Sequence, residues 1–596
     1  MLRRHRGELS SRVLVIVRLA QVALVVIGLG YGSVQIAGGA YYRELSDHNR
    51  LRQLALDAPR GQILDRKGRA LAENVPSYSL LIDRSRMRDA DASLDFAAGI
   101  LKTPTDELRE RLREFRRVPS FKPVPLASQL SLEQVARVAV HGLEHPEFET
   151  RSEQLRLYRY AHLSAHVLGY LGQVSEIELQ QPESPFSAGD TLGKKGVEKI
   201  YDALLRGTSG EQVVVVDSRG RTIQQLRRDS AVTGATLRLT IDLELQQEAA
   251  RLLDGKVGAI VALDAESGGI LAMVSAPAFD PNLFSRGLTA EHWRALIEDP
   301  RRPLQNRALQ NTYPPGSVYK IVMAAAALEE GVVDTSKKVF CRGFSKIYDH
   351  RYRCWQRGGH GWVDLKGALK YSCNVYFHQL GQAMDIDTIS RYSKLFGLGR
   401  RTGIDLDGEK SGLVPDRDWS RRRRGQPWYP GETISVATGQ GPLLVTPLQI
   451  ARLTAAVANG GRLVVPHLIE DHRVAAGDTQ TLGLSDRVTA ALHGALVAVV
   501  EDSDGTGRAA SVSGFPIAGK TGTAQVVRQA TWTKNEDLEA GQRDHAWFAS
   551  YGPAENPKVV VVVFVEHGGG GSTVAAPLAK RMYEKYLEID IAHHHG

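Results

Sequence analysis

Tyr313-Pro-Pro-Gly-Ser-Val-Tyr-Lys320, continuing as Ile321-Val-Met-Ala-Ala-Ala-Ala-Leu-Glu-Glu330 and stopping at Gly331, sets the reading of this chain. Tyr313-Pro-Pro-Gly316 cannot be helical, whereas 318–330 is rich in Ala, Val and Leu. A helix is therefore predicted over 318–330, with Ser317 at its opening and Gly331 as its C-cap. On a helix, positions three apart share a face, which brings the Lys320 amine within reach of the Ser317 hydroxyl. A serine is a weak nucleophile at neutral pH and needs a neighbouring base, an oxyanion site and something to hold the substrate. Lysine serves as that base only when neutral, a state favoured by burial and nearby positive charge. Taken alone, S-x-x-K reads equally well as the start of a surface helix.

Two further motifs follow in order, Ser372-Cys-Asn374 and Lys520-Thr-Gly-Thr523. The latter runs into Ala524-Gln-Val-Val527 and is followed by Ala546-Trp-Phe-Ala-Ser-Tyr551 and the apolar 559–565, which predicts three strands of an antiparallel sheet. Gly522 is expected to leave room for a substrate backbone to lie alongside as an extra strand. The Ser372 hydroxyl and the Asn374 amide are placed on the opposite wall. Upstream, Asp242 is a candidate cap for a helix over 243–253, and a hairpin over 258–263 and 270–275 supplies two more strands. The predicted domain is a five-stranded antiparallel sheet flanked by helices, among them 447–458 behind a Thr446/Gln449 capping box and a final helix near 575–587.

In this order the motifs resemble the S-x-x-K, S-D-N and K-T-G set of the penicillin-binding proteins and serine β-lactamases. Asn306-Arg-Ala308, Gly439-Gln-Gly441 with Thr446-Pro-Leu-Gln449, and His545-Ala-Trp-Phe548 resemble the transpeptidase domain of the class B penicillin-binding proteins. Arg60-Gly-Gln-Ile-Leu-Asp-Arg66 with Gly68 and Leu71-Ala72, and the stretch from Gly193 through Glu198 and Tyr201 to Gly207, resemble that class's pedestal. The likeness covers nearly the whole chain. Cys373 departs from it, standing where many relatives carry aspartate, so no acidic role falls to that side chain.

Composition agrees. At 596 residues the chain should hold two or more domains with proper cores. Its 75 basic against 67 acidic residues leave a net charge of +8, modest for the size, which gives no indication of nucleic-acid binding. Residues 19–36 contain only Gln21, Ser33 and Gln35 as strongly polar members, and Val13 to Val17 extend the run across Arg18. That length spans a bilayer, exceeds a typical signal-peptide core and precedes no A-x-A site, which favours a retained anchor over a cleaved leader. Arg3, Arg4, Arg6 and Arg12 should remain cytoplasmic, leaving the rest of the chain outside. The expected architecture is α+β: a cytoplasmic tail over 1–12, a single-pass transmembrane helix over 13–36, an elongated α+β pedestal over 43–233, a transpeptidase domain over 239–590 and a tail over 591–596 whose His593 to His595 are given no role.

Cys341, Cys354 and Cys373 all lie between or at the first two motifs, with His360 among them, in the spacing C-x12-C-x5-H-x12-C. This is the composition of a tetrahedral zinc site, with Asp349 and His350 as reserve ligands; a Cys341 to Cys354 disulfide plus a free thiol is the competing reading. The resemblance favours zinc, since some elongation-type members carry one in this interval, and beside Ser372 it would be structural. Arg421 to Arg424 with Trp428 and Tyr429 suit either a solvated loop or an anionic polymer, and Gly568 to Gly571 lack a P-loop lysine and read as a connection near the active-site mouth.

The resemblance also implies a reaction. Ser317 attacks the penultimate D-alanyl carbonyl of a donor stem peptide while Lys320 takes the proton, with the backbone amides of Ser317 and Thr523 as oxyanion donors. Ser372 relays a proton to the leaving D-alanine with Lys520 nearby, Asn374 bonds the donor, and Thr521, Gly522 and Thr523 line its carboxylate end. An amine of a neighbouring stem then resolves the acyl-enzyme; β-lactams mimic the donor and are trapped. The Cys/His cluster and the 193–207 stretch resemble the elongation type, which implies a SEDS-family glycosyltransferase of the RodA type and other elongation-complex proteins as partners at the inner membrane, with the C-terminal domains periplasmic. A division-specific transpeptidase, a membrane-bound β-lactamase or β-lactam sensor, and a mainly structural activator of a glycosyltransferase remain as rivals, the long pedestal arguing against the second.

Overall fold

The computed structural model describes residues 2–37, 39–41, 50–116, 118–120, 122–181, 186, 190–216, 222–470, 480–527 and 535–595. The expected pedestal start at residue 43 and the last tail position lie outside them. Helix α1 (Leu2–Gly32) passes into a π-turn, Ser33–Ala37. Its apolar stretch Val13–Ile36 buries nothing against the protein, as expected of a surface meant for lipid. The helix begins at Leu2, so it includes most of the expected tail.

Chain contacts divide the molecule into two compact units, and the division cuts across the 43–233 segment. The first holds residues 1–59, 77–153 and 207–234. Its core gathers Leu80, Ile82, Leu94, Leu108, Val124 and Phe148, and it carries a three-stranded antiparallel sheet in the order Leu51–Leu56, Gly210–Val216, Thr222–Asp229. The helix Ala90–Leu101 starts where Asp89 accepts from the amides of Asp91 and Ala92.

The second unit takes in 60–76 and 154–206 together with 235–596. A buried carboxylate accounts for much of this assignment. Glu198, fully buried, receives Arg60 Nε at 2.6 Å and Arg156 Nε at 2.7 Å, so segments far apart in sequence meet at one charge that cannot be left unpaired.

The catalytic-side sheet consists of β1 (Gly258–Asp264), β2 (Ile270–Ala276), β3 (Ala518–Ala524), β4 (His545–Gly552) and β5 (Val559–Val565), all antiparallel in the order β2-β1-β5-β4-β3. β5 is apolar at every position because both faces are covered. Val560, Val562 and Phe564 enter one core, and Val559, Val561, Val563 and Val565 enter the other. Each such side chain contributes about 1.5–3 kcal/mol by leaving water.

Six helices matter for the site: α2 (Leu243–Leu252), α3 (Lys320–Glu329), α4 (Asn374–Ala383), α5 (Pro447–Ala458), α6 (Asp486–Glu501) and α7 (Ala576–His595). Asp242 caps α2, and the Thr446/Gln449 box caps α5, as the sequence predicts. α3 and α5 pack on one face of the sheet, α2 and α7 on the other. Two expectations change. β3 ends at Ala524 rather than running to Val527, and the last helix continues through the expected tail to His595.

Candidate active site

Ser317 sits in a 3-10 turn, Gly316–Tyr319, and the α-helix begins only at Lys320. The turn is clamped from several sides. Gly316 N donates to Gly439 O at 3.0 Å, and Trp547 Nε1 donates to Pro314 O at 3.1 Å. Gly439 has φ +72°, and a Cβ there would stand 2.0 Å from the Gly316 carbonyl oxygen, so only glycine permits the approach. Gly522 does the same from β3: a Cβ would meet Val318 Cγ2 at 2.9 Å and Pro315 O at 3.2 Å. On this face of β3 the missing side chain admits the serine turn, and β3 is the edge strand of the sheet.

Lys320 is fully buried, and its Nζ donates to the Ser372 carbonyl at 2.9 Å, to Ser372 Oγ at 3.3 Å and to Asn374 Oδ1 at 2.7 Å. These three bonds use every ammonium proton. Burial pulls this amine down to about 8, against an opposing pull from Cys354 and Cys373. Among the described residues no hydrogen bond joins Lys320 to Ser317, whose half-buried hydroxyl has no partner there. The second motif offers the Lys320 amine three acceptors, and Ser317 lies in the 3-10 turn ahead of α3 rather than on the α-helix whose i,i+3 spacing would align the two.

Ser372 itself has φ +52°, a left-handed backbone that costs a non-glycine residue about 1–2 kcal/mol. This conformation turns its carbonyl onto Lys320, while Cys373 caps α4 and Asn374 opens it. On the facing strand, Lys520 is buried and donates to Thr521 O at 3.0 Å; burial first, and then the Lys320 charge, hold it well below its ordinary value. Thr523 is half-buried, its carbonyl accepting from Gln440 Nε2 at 3.3 Å and its hydroxyl from Gly571 N at 3.4 Å. All three motifs therefore converge on one cleft, with two amines kept low, one hydroxyl free and one strand beside it.

Several participants carry no signal in the sequence. Thr506, in an ordinary-looking polar loop, takes a hydrogen bond from Thr521; Gln440, inside the Gly439-Gln-Gly441 motif but given no role by it, reaches the Thr523 carbonyl. Ser345 lies 2.9 Å from His378 Nδ1 on the first turns of α4, and burial, reinforced by the Lys320 charge, pushes that imidazole down to about 3. Arg424 pairs with Glu432, whereas Arg421, Arg422 and Arg423 stay exposed.

Cys341, Cys354, His360 and Cys373 bring their ligand atoms within 4.8 Å of one another. His360 Nδ1 lies 3.5 Å from Cys341 Sγ and 3.6 Å from Cys354 Sγ. A tetrahedral zinc with bonds of about 2.3 Å to sulfur and 2.0 Å to nitrogen separates S and N by about 3.5 Å, so the donor set fits. The three cysteines are free thiols and buried. Hydrogen bonds from Cys341 and Cys373 hold the Cys354 sulfur far toward thiolate. Cys354 Sγ also accepts from Asn374 N at 3.4 Å, and Asn374 Nδ2 donates to Arg353 O at 3.3 Å, so the cluster abuts the second motif directly. Asp349 is exposed and pairs with Lys346, and His350 meets the Tyr352 ring edge to face; neither belongs to the cluster.

Known proteins resemble this chain over most of its length. The penicillin binding protein transpeptidase domain family matches residues 258–584, and the penicillin-binding protein dimerisation domain family matches 55–239. The peptidoglycan D,D-transpeptidase MrdA of Haemophilus influenzae is 37% identical over 572 residues, spanning 93% of this chain and 88% of the relative. A penicillin-binding protein PBP2 from Helicobacter pylori, solved in complex with MreC, superposes with a TM-score of 0.80 at 30% identity, covering 90% of this chain and 99% of that one. A chain from a peptidoglycan synthase complex that coordinates polymerization and crosslinking gives a TM-score of 0.71 at 31% identity, covering 97% and 98%.

Proposed function

This chain belongs to the class B penicillin-binding proteins of the elongation type, the PBP2 family, and we propose that it crosslinks peptidoglycan through an acyl-enzyme formed on Ser317. It is a peptidoglycan D,D-transpeptidase. The observation that carries the acyl-enzyme reading is the convergence of Lys320 Nζ on Ser372 and Asn374, beside the Ser317 turn clamped against the K-T-G strand, the Ser317 hydroxyl having no hydrogen-bond partner among the described residues.

Lys320, in its neutral form, takes the Ser317 proton as Oγ attacks the penultimate D-alanyl carbonyl of the donor stem, and the Ser317 and Thr523 amides receive the oxyanion. Collapse breaks the peptide bond. Ser372, hydrogen-bonded to Lys320, passes a proton to the departing D-alanine amine, with Lys520 alongside to hold the hydroxyl and the substrate carboxylate together with Thr521 and Thr523. Asn374 bonds the donor backbone. A stem-peptide amine then attacks the ester carbonyl, giving its proton back along the same route and restoring Ser317. A β-lactam enters by the same attack and leaves an ester without an amine leaving group, which stalls the enzyme.

Cys341, Cys354, His360 and Cys373 would hold a zinc ion, whose contribution would be structural, with Cys373 fixed as a ligand and Ser372 and Asn374 held beside it. The apolar helix at the N-terminus is a single-pass anchor, and the arginines before it support a periplasmic catalytic unit. The enzyme works within an elongation complex, and a SEDS-family glycosyltransferase of the RodA type is the partner we assign to it; a relative solved with MreC and another within a synthase complex that coordinates polymerization and crosslinking support the reading. Labelling with fluorescent penicillin and mapping the adduct tests the assignment; an adduct away from Ser317, or full crosslinking by Ser317→Ala, would reject it.

A further inference from the structure

A groove of about 490 Å3 opens on the flank of α4 next to the one that carries Asn374. One wall is a hairpin in which Phe344–Ile347 pairs with His350–Arg353. Its turn residues Tyr348 and Asp349 both have positive φ, the geometry of a tight type I′ connection that fixes the register. The other wall is α4, whose Gln379 and Gln382, three residues apart, face the groove with their amides. Nothing in the mechanism uses this surface.

Its chemistry is one-sided. Between residues 337 and 357 the chain has seven lysines and arginines against a single carboxylate, Asp349. α4 carries no acidic residue at all. The Lys346 to Asp349 pair is 67% and 98% exposed, so it neutralises little. Arg342 and Arg351 form no ion pair among the described residues; their guanidinium carbons lie 5.2 and 3.7 Å from the centroid of the Phe344 ring. Beside them Phe340 and Trp362 face each other across paired strands, ring centroids 5.4 Å apart, and remain 53% and 69% exposed. An arrangement of exposed aromatic rings set edge to face, amides and guanidinium groups without an ion pair suits a sugar that also carries carboxylates: an exposed ring face takes the apolar sugar face, amides take hydroxyl and acetamide groups, and cations take carboxylates.

The groove also connects to the cleft. Phe344 pairs in register with Arg353, whose carbonyl accepts from Asn374 Nδ2, so the hairpin joins the groove wall to the second motif across one strand pair. The donor stem is already assigned to the space between β3 and Asn374. We propose that the groove between the Phe344–Arg353 hairpin and α4 docks the acceptor, a carboxylate-bearing glycopeptide strand that presents its amine to the acylated Ser317. The proposal rests on the acyl-transfer reading given above. A nucleic acid fits less well, because the charge is local while the chain as a whole is close to balanced.

The test uses the full chain in detergent micelles with Ser317 first acylated by penicillin, so that the donor space is closed. Binding of a fluorescent disaccharide-pentapeptide is read by anisotropy against the peptide-free disaccharide. Arg342→Ala with Lys346→Ala should weaken glycopeptide binding about three- to tenfold, the scale of one or two exposed charge contacts, and should leave binding of the peptide-free disaccharide unchanged. Lys346→Glu, a surface change, should weaken it further. Unchanged glycopeptide affinity in both variants overturns the proposal, as does an equal loss for the peptide-free sugar. Displacement of the glycopeptide by phosphatidylglycerol vesicles at matching charge assigns the groove to a lipid surface and overturns it as well. The rate of penicillin acylation, recorded on the same preparations, reports on Ser317 alone and separates a failure of the groove from a failure of the acyl-transfer reading.

Discussion

Thr506 Oγ1 accepts a hydrogen bond from Thr521 Oγ1 at 3.1 Å and donates one to the Lys370 carbonyl at 2.9 Å. A single hydroxyl thereby ties the K-T-G strand to the residue two before Ser372. Around it Lys370 Nζ pairs with Asp502 at 2.8 Å and Asp504 at 2.6 Å, and Tyr371 donates to Asp504 at 2.7 Å. The two walls of the cleft are held apart at a set distance by groups that never touch the reacting atoms.

Thr506→Val keeps the shape of the side chain and deletes both bonds. Penicillin acylation should slow by between about tenfold and a hundredfold, because the walls lose their spacing, while the fold loses only about 1–3 kcal/mol. Thr506→Ser should restore the rate. Time-resolved labelling with fluorescent penicillin, set beside thermal melting, separates the two effects; a parallel fall in both would mark Thr506 as a merely structural residue.

Glu198 is the charge on which the second unit closes. Glu198→Gln leaves Arg156 buried with a neutral partner and Arg60 with Asp202 as its remaining carboxylate, and should cost about 3–5 kcal/mol. A melting temperature within error of the parent would refute the reading that this carboxylate holds 60–76 and 154–206 in the unit.

These two cases also mark how far the sequence could be read. The five strands and their capped helices were legible because local rules decide them: the short continuous apolar run 559–565, Asp242 before α2, and the Thr446/Gln449 box. The gathering of Ser317, Lys320, Ser372, Asn374 and Lys520 could be inferred from motif order, but the orientation of Lys320 could not. That depends on a left-handed Ser372, which is set by packing rather than by any local preference. The division of the pedestal was hidden for the same reason. Ion pairs between residues such as Arg60 and Glu198, 138 positions apart, leave no periodic trace.

Zinc analysis of protein purified without chelator should find about one ion per chain, and Cys341→Ser should lower it. Because Cys354 Sγ accepts from Asn374 N, loss of the ion should also slow acylation, and zinc should restore it. Metal-free protein that acylates at the parent rate, with a Cys341 to Cys354 disulfide by mass spectrometry, would reject the site.

Gly439→Ala places a methyl group 2.0 Å from the Gly316 carbonyl oxygen, a contact that backbone must yield to relieve. The serine turn should shift, and acylation should fall by about a hundredfold. The substitution is remote from the substrate's leaving group, so the loss should appear in the acylation rate with hydrolysis of the ester unchanged; an acylation rate within error of the parent would show that the turn tolerates the push.

Lys320 gives the sharpest pH test. Its folded value is pulled from 10.5 to about 8 by burial, so between those values the folded chain holds the amine neutral while the unfolded chain keeps it protonated. The unfolded state then binds more protons, so stability should rise with pH across that window and lose the whole of this gain as pH falls back from 10.5 to about 8. The same titration creates the base, so the acylation rate should climb with pH and level off above about 8. Lys520, held low by burial and by Lys320, titrates in the same direction, and a variant must tell them apart. Lys320→Arg fixes a positive charge in the site and should abolish the climb together with about 100- to 10,000-fold of the rate. If Lys320→Arg retains the parent's pH profile, the base is another group and the proton route drawn from Ser317 is wrong.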